Sequence, residues 1–304
     1  MKSDSRRPGR AAEAGPPGEA AEESVAARIR ERMGDCSPAE RKVARTLLAA
    51  YPVAGFETVA GLAELAEVSG ATVVRFATRL GYRGFPDFQR ALRHELEQRS
   101  ASPASLYERI GAAGATASSD LASLGDAPAD DVRATFAGLS EHDFETTVAA
   151  IANPKNRVWV AGGRYSGYLA EYLQASLQQL RPAVQMVPRM ASLRAATMSG
   201  FDAKDVLVVF DFRRYEAETR RLVQHAKARK ATVALVTDRW VSPCAGDADT
   251  VLSSLASERG PFDSVVPVMA LIEAIFEAVL TRLGPPARER MERIERTVQE
   301  LELL

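Results

Sequence analysis

Apolar residues recur at helical spacing over the first third of the chain and in short unbroken runs over the rest. Val25, Ile29 and Met33 repeat every four residues and stop at Gly34, which predicts a helix. Ser37-Pro38-Ala39-Glu40 has the form of a capping box with proline at the first helical position. The helix it opens sets Val43, Ala44, Leu47 and Leu48 on one face, and Pro52 ends it. Residues 58–68 predict another short helix, with Leu62, Leu65 and Ala66 apolar; Ser69-Gly70 makes a break, residues 71–80 form a helix stopped by Gly81, and residues 86–99 form one more. Beyond a stretch dominated by Ala, Ser, Gly and Pro, with a short helical patch near 106–110, residues 132–139 and 144–151 predict helices. Apolar, β-rich runs follow at 157–161, 183–187, 206–210, 232–237 and 250–255, each trailed by a helical stretch, and helices near 265–283 and 286–304 close the chain. Short buried strands alternating with helices imply βαβ units. The expected architecture is an all-α domain followed by an α/β domain with a parallel five-stranded sheet flanked by helices. Its expected divisions are a disordered tail (1–23), a helical domain (24–99), a linker (100–119), the α/β domain (120–284) and a C-terminal helix (285–304).

Composition adds mainly exclusions. The 304 residues are 46% hydrophobic and 26% charged, ordinary globular material. Thirty-nine basic residues against 40 acidic ones leave a net charge of −1, so any nucleic-acid surface must be local. The longest uncharged apolar stretch, around 265–272, is far short of the ~20 residues a membrane span needs, so no membrane partner is expected. The N-terminus has no apolar core of a secretory signal. Cys36 and Cys244 are the only cysteines, which excludes a disulfide framework and a Cys-rich zinc site and points to a cytoplasmic protein. No cofactor or metal is expected.

Residues 59–80 carry the first chemical signal. Two short helices meet across a break containing Gly70; Ala63 and Ala66 let them approach, and Val68, Val73 and Phe76 close the space between. That is the pattern of a helix-turn-helix, whose second helix enters the major groove. Ser69, Ala71, Thr72, Arg75 and Arg79 fall where such a recognition helix shows its outer face. Between Ala71 and His94 five arginines meet one acid, Asp87, a local charge of +4 suited to phosphate contacts. A plain helical bundle with a solvated basic face is the competing reading.

The motifs Leu65-Ala66, Val68-Ser69, Ala71-Thr72-Val73, Arg75-Phe76, Leu80-Gly81-Tyr82 and Gly84-Phe85, preceded by residues 37–44, resemble the N-terminal domain of the RpiR-type bacterial transcription regulators. The resemblance covers about residues 25–96. It implies binding of double-stranded operator DNA through Ser69, Ala71, Thr72, Arg75 and Arg79.

The second signal lies in two loops that follow strands. Arg157–Gly167 reads strand, Gly-rich turn, helix. A dinucleotide site would need a second glycine where Arg164 stands and an acid at the end of the next strand, and neither is present. Residues 205–218 and 232–249, with the first loop, resemble a sugar isomerase (SIS) domain over about residues 144–283. Members of that family hold a sugar phosphate with the hydroxyls and amides of G-x-G-x-S and S-x-S-G-x-T loops. Gly162 and Ser166 fit the first motif and Arg164 departs from it. In the second, Asp211 and Arg213 replace serines, Arg214 replaces glycine and Glu216 replaces threonine. The resemblance therefore implies a ligand site at Gly162, Arg164, Ser166, Asp211, Arg213, Arg214 and Tyr215, altered from a sugar-phosphate cradle toward a small anionic metabolite, a sugar phosphate or carboxylate, that arginines can grip. An internal ion-pair network of those arginines with Asp211 is the alternative.

No catalytic residue is assigned. His94, His142 and His225 do not converge on the loops, and Glu258 is a lone loop carboxylate. The sequence thus reads as a DNA-binding transcriptional regulator whose SIS-like domain senses a small anion and dimerises. An SIS-fold isomerase-type enzyme, or an SIS domain serving only for dimerisation, are the alternatives. A homodimer or homotetramer is expected, with Met291, Ile294, Val298 and Leu301 as a heptad stripe that serves either an interface or packing on the chain's own domain.

Overall fold

The structure, a computed structural model, describes residues 24–110, 122–256 and 260–303. The expected tail, most of the linker's second half and Glu258 lie outside the described residues.

Six helices form the first part: α1 (Val25–Glu31), α2 (Pro38–Ala49), α3 (Val59–Leu65), α4 (Gly70–Arg79), α5 (Phe85–Ser100) and α6 (Pro103–Ile110). The capping box is present: Glu40 N–H donates to Ser37 Oγ at 3.3 Å, and Ser37 N–H donates to Glu40 Oε2 at 2.8 Å. Leu47, Leu62, Val73, Phe76, Leu80, Phe88 and Leu92 make one buried apolar core. The helix-turn-helix break differs from the expectation. Gly70 is the first residue of α4, and the left-handed residue is Glu67, with φ 52°. Val68 N–H donates to Ala63 O and Glu67 N–H to Glu64 O, a Schellman turn with glutamate where glycine is usual. Gly70 is small for a different reason: a Cβ there would sit 3.2 Å from Val59 Cγ1 on α3.

The second part begins with α7 (Asp126–Gly138) and α8 (Glu141–Ala152). Five strands follow, β1 (Arg157–Gly162), β2 (Val184–Met186), β3 (Asp205–Asp211), β4 (Thr232–Asp238) and β5 (Thr250–Ser254), all parallel in the order β2-β1-β3-β4-β5. Helices α9 (Ser166–Leu180), α10 (Ala191–Ser199), α11 (Ala217–Ala228), α12 (Val266–Leu283) and α13 (Pro285–Glu300) complete it. The two-residue period of β3 divides the core. Val206, Val208 and Phe210 face a cluster with Leu173, Leu177, Leu271 and Ile275, whereas Leu207 and Val209 face Met198, Val223 and Ala226. Buried Arg181 donates to the carbonyls of Ile151, Asn153 and Asn156, satisfying the end of α8 with a cation. Of the C-terminal stripe, Met291 packs on the sheet's own core and Leu301 is exposed.

Strand order reverses at β1, which lies between β2 and β3. The carboxyl ends of β1 and β3 form the switch point at which open parallel sheets leave a crevice. Both sequence-predicted ligand loops start there.

Candidate functional site

On α4, the exposed residues are Ala71, Val74, Arg75, Thr78 and Arg79, a set dominated by the i, i+3, i+4, i+7 spacing of one helical face. Ser69 is the exposed N-cap and accepts from Thr72 N–H at 3.3 Å. Thr72, expected on the outer face, is instead buried: its hydroxyl lies 2.9 Å from Ser69 Oγ and accepts from Arg75 Nη2 at 3.1 Å. It orders the cap and the arginine. Arg79 donates through Nε to buried Glu40 at 3.1 Å and so fastens α4 to the start of α2. Burial alone would raise the Glu40 carboxyl, but the two hydrogen bonds from Ser37 and the Arg79 guanidinium outweigh it and hold the pKa below the ordinary value. Val74 and Thr78, which the motif did not single out, share this exposed face.

At the sheet's carboxyl edge, Ser166 is consumed internally. Its hydroxyl donates to Phe210 O at 2.9 Å and accepts from Gly163 N–H at 2.8 Å, stitching the β1 loop to β3. Gly162 must be glycine, because a Cβ would lie 2.6 Å from Ser166 O. Glu216, which stands in place of the family's threonine, folds onto the first loop, where Oε1 accepts from Arg164 N–H at 3.4 Å. Of the amides that could meet a ligand anion, Arg164 N–H thus already meets an internal carboxylate and Gly163 N–H an internal hydroxyl.

The second loop also departs from the expected cluster. Asp211 is buried and faces Ser242 Oγ, which donates to it, and Cys244 Sγ at 3.6 Å; neither partner is an arginine. Its pKa is pushed up to about 6, by burial first, against the hydrogen bonds from Ser242 and Cys244 and with repulsion from Asp238 adding to the rise. Arg213 does not reach Asp211. Its Nε lies 3.1 Å from Asp263 Oδ2 and its Nη1 donates to Gln98 O at 3.3 Å. Tyr215 donates its hydroxyl to Asp238 Oδ1 at 2.5 Å. Asp238 also accepts from Arg213 N–H and Trp240 N–H, yet burial keeps its carboxyl above the usual range. Arg164 and Arg214 remain on the surface, Arg214 in the left-handed region at φ 73°.

Beside this loop lies a cavity of about 320 Å³ between the ends of β3, β4 and β5 and the start of α12. Leu106 of α6, Leu169, Phe212, Trp240, Phe262 and Val268 give it apolar walls, and Arg214, Ser166 and Asp238 give it polar ones. A smaller cavity of about 190 Å³ opens on the other side of Gly162 and Arg164, where Arg194 pairs with Glu218 at 2.5 Å.

Comparison with known proteins places both halves. Residues 23–99 match the family model of the helix-turn-helix domain, rpiR family, and residues 150–278 match that of the SIS domain. An uncharacterized HTH-type transcriptional regulator of Haemophilus influenzae is 26% identical over 215 residues, spanning 70% of this chain and 73% of that protein. The HTH-type regulator YfhH of Escherichia coli is 38% identical over 76 residues, 25% of this chain and 27% of its own. Among solved structures, the sugar isomerase domain of an RpiR transcription factor from Sphaerobacter thermophilus aligns with a TM-score of 0.52 at 22% identity, covering 56% of this chain and 94% of that one. The NanR protein of Vibrio vulnificus, solved with ManNAc-6P, aligns with a TM-score of 0.51 at 20% identity over 91% of this chain and 99% of its own. At these identities the two structures establish the fold.

Proposed function

The chain joins an rpiR-family helix-turn-helix domain to an SIS domain and so belongs to the RpiR-type transcriptional regulators; from that premise we propose that it reads operator DNA with α4 and senses a small anionic metabolite at the carboxyl edge of its sheet. The observation that carries the first half is the exposed face of α4, where Ala71, Val74, Arg75 and Thr78 stand together on a helix whose opposite face is core.

The cavity beside residues 211–215 supports the second half. Its walls are largely apolar, Arg214 stands at its edge, and the hydroxyls and amides of a sugar-phosphate cradle are replaced or already satisfied. A ligand with one anionic group and an apolar body fits that chemistry better than a sugar phosphate. NanR, which shares the fold, is a protein solved with a sugar phosphate, and that lends weight to metabolite sensing as such. The carboxylates bordering the cavity argue for a sensor over an isomerase. Asp238 accepts three hydrogen bonds and Asp263 pairs with Arg213, so each is held in a fixed role rather than poised to shuttle protons. The protein acts in the cytoplasm as a homo-oligomer, since one helix-turn-helix buries little surface and two half-sites double it.

The test is thermal unfolding of the full chain against aliphatic and aromatic carboxylates and sugar phosphates. A ligand of the native state raises the melting temperature by mass action. Arg214→Ala is expected to weaken any hit about tenfold, ~1.4 kcal/mol. A hit indifferent to Arg214, or found only among sugar phosphates, contradicts this reading of the site.

A further inference from the structure

Residues 95–106 are where the two domains grip one another. Arg99 belongs to α5 of the helical domain, yet its guanidinium carbon lies 4.7 Å from the ring centre of Tyr215 in the SIS loop and 5.8 Å from that of Tyr51 in its own domain. The side chain is only 8% exposed. Glu95, 4.0 Å away, supplies the opposite charge and is itself fixed by Val25 N–H at 2.9 Å and the Tyr51 hydroxyl at 2.6 Å. On the far side Tyr215 is anchored to Asp238, and Arg213 of the same loop donates to Gln98 O. A continuous chain of contacts therefore runs from the start of α1, through Glu95, Arg99 and Tyr215, to the end of β4. A buried guanidinium is tolerable only with partners, and here two aromatic faces and one carboxylate provide them. One of those faces exists for it only while the domains are docked.

Besides this joint, buried Leu106 of α6 meets the wall of the 320 Å³ cavity in the SIS domain. The apolar core of the helical domain and the two cores flanking the sheet share no residue. A cleft of about 920 Å³ opens between α1 and the edge formed by α7 and β5. Interfaces between domains of one chain commonly permit relative motion, and this one is interrupted by the cleft. The loop that Arg99 grips also walls the 320 Å³ cavity through Phe212, Arg213 and Arg214, and α6, directly after Arg99, walls it through Pro103 and Leu106.

We propose that Arg99 is the latch that couples the effector loop to the DNA-binding domain. It is a positioning residue: it stands outside the residues that wall the 320 Å³ cavity, but a ligand that shifts residues 212–215 must loosen or tighten its seat. By linkage, moving the helical domain must alter the loop to the same extent in free energy. The latch rests on the effector reading above only for the ligand that uses it; the joint itself stands on its geometry.

Hydrogen–deuterium exchange of the full chain without ligand tests it, comparing wild type, Arg99→Ala, Tyr215→Leu and Tyr215→Phe. Arg99→Ala is expected to speed exchange about tenfold, ~1.4 kcal/mol, at residues 212–216. Tyr215→Leu is expected to do the same at residues 95–101 in the other domain. Tyr215→Phe keeps the ring and is expected to leave residues 95–101 close to wild type, which a role confined to the Asp238 hydrogen bond would not. Exchange within α4 and β3 stays unchanged. A variant that perturbs only its own domain overturns the latch, as does faster exchange throughout both domains. If Arg99→Ala fails to fold, the two Tyr215 variants decide alone. Because no ligand is present, failure here leaves the effector reading standing, and a silent metabolite screen leaves the latch standing.

Discussion

Arg75 and Thr72 show how narrowly a residue's role depends on helical phase. Thr72 shares the inward face with Phe76, four residues on, a spacing legible in the sequence although its polarity suits the outer face. Arg75, about one turn past Thr72, is exposed and partly ordered by the Thr72 hydroxyl. Arg75→Ala is expected to cost about 1–3 kcal/mol of operator affinity and to relax sequence preference while leaving the fold intact; quantitative gel shifts on a preferred and a mismatched site measure both. Asp211 was legible as a departure from its family's serine, but its direction was not, since its partners Ser242 and Cys244 are more than 30 positions away. Its pKa, raised from 3.8 to about 6, means that the protonated form suits the folded state. Its contribution is largest below about pH 4 and is lost as pH rises through 4 to 6, an effect of about 3 kcal/mol. Asp211→Asn is expected to remove that part of the slope, read as the difference in unfolding free energy between pH 4.5 and 7 relative to wild type. Glu40 has the opposite sign: its lowered pKa supplies stability above the ordinary carboxylate range that is lost on acidification.

At the scale of elements, the sequence was most readable where period and length agreed. All five strands lie within about a residue of the expected runs, because each is a short β-branched stretch bounded by polar residues. The capping box marked the start of α2 to the residue. Helix α10 is the helical stretch expected after the second run, though its Ala- and Ser-rich face carries too little apolar period to give it bounds. The turn of the helix-turn-helix was misplaced because Gly70 drew attention from Glu67, whose left-handed φ of 52° no composition rule announces. A non-glycine residue there costs roughly 1 kcal/mol, and the exposed Lys42–Glu67 pair returns little of it. Glu67→Gly is therefore expected to stabilise the helical domain by about 0.5–1 kcal/mol without loss of DNA binding, measured by denaturant unfolding; destabilisation would mean the turn is held otherwise.

For the whole molecule, the two domain types were legible from motif order, but their apposition was not. Nothing local in Arg99 or Tyr215 states that they will meet, and Arg213 could not be known to serve Gln98 and Asp263 rather than a ligand. The proposed oligomer draws its argument from surface rather than pattern. Tyr165, Tyr168 and Tyr172 lie along one exposed stretch at the start of α9, and Phe262, Val265 and Val266 are exposed as well. This surface is the proposed interface in preference to the C-terminal stripe, part of which is spent on the chain's own core. Sedimentation at micromolar concentration is expected to give a dimer or a multiple of it, and Tyr168→Glu to shift it toward monomer.

The central claim is that α4 of this chain reads DNA sequence. Its most direct measurement is recovery of fragmented genomic DNA by the purified full-length protein at physiological salt, sequenced for wild type and Arg75→Ala in parallel. Wild type is expected to enrich a small set of fragments sharing two half-sites spaced by whole helical turns, and Arg75→Ala to lose that enrichment. Recovery of all fragments in proportion to their length, by wild type as by the variant, would contradict it.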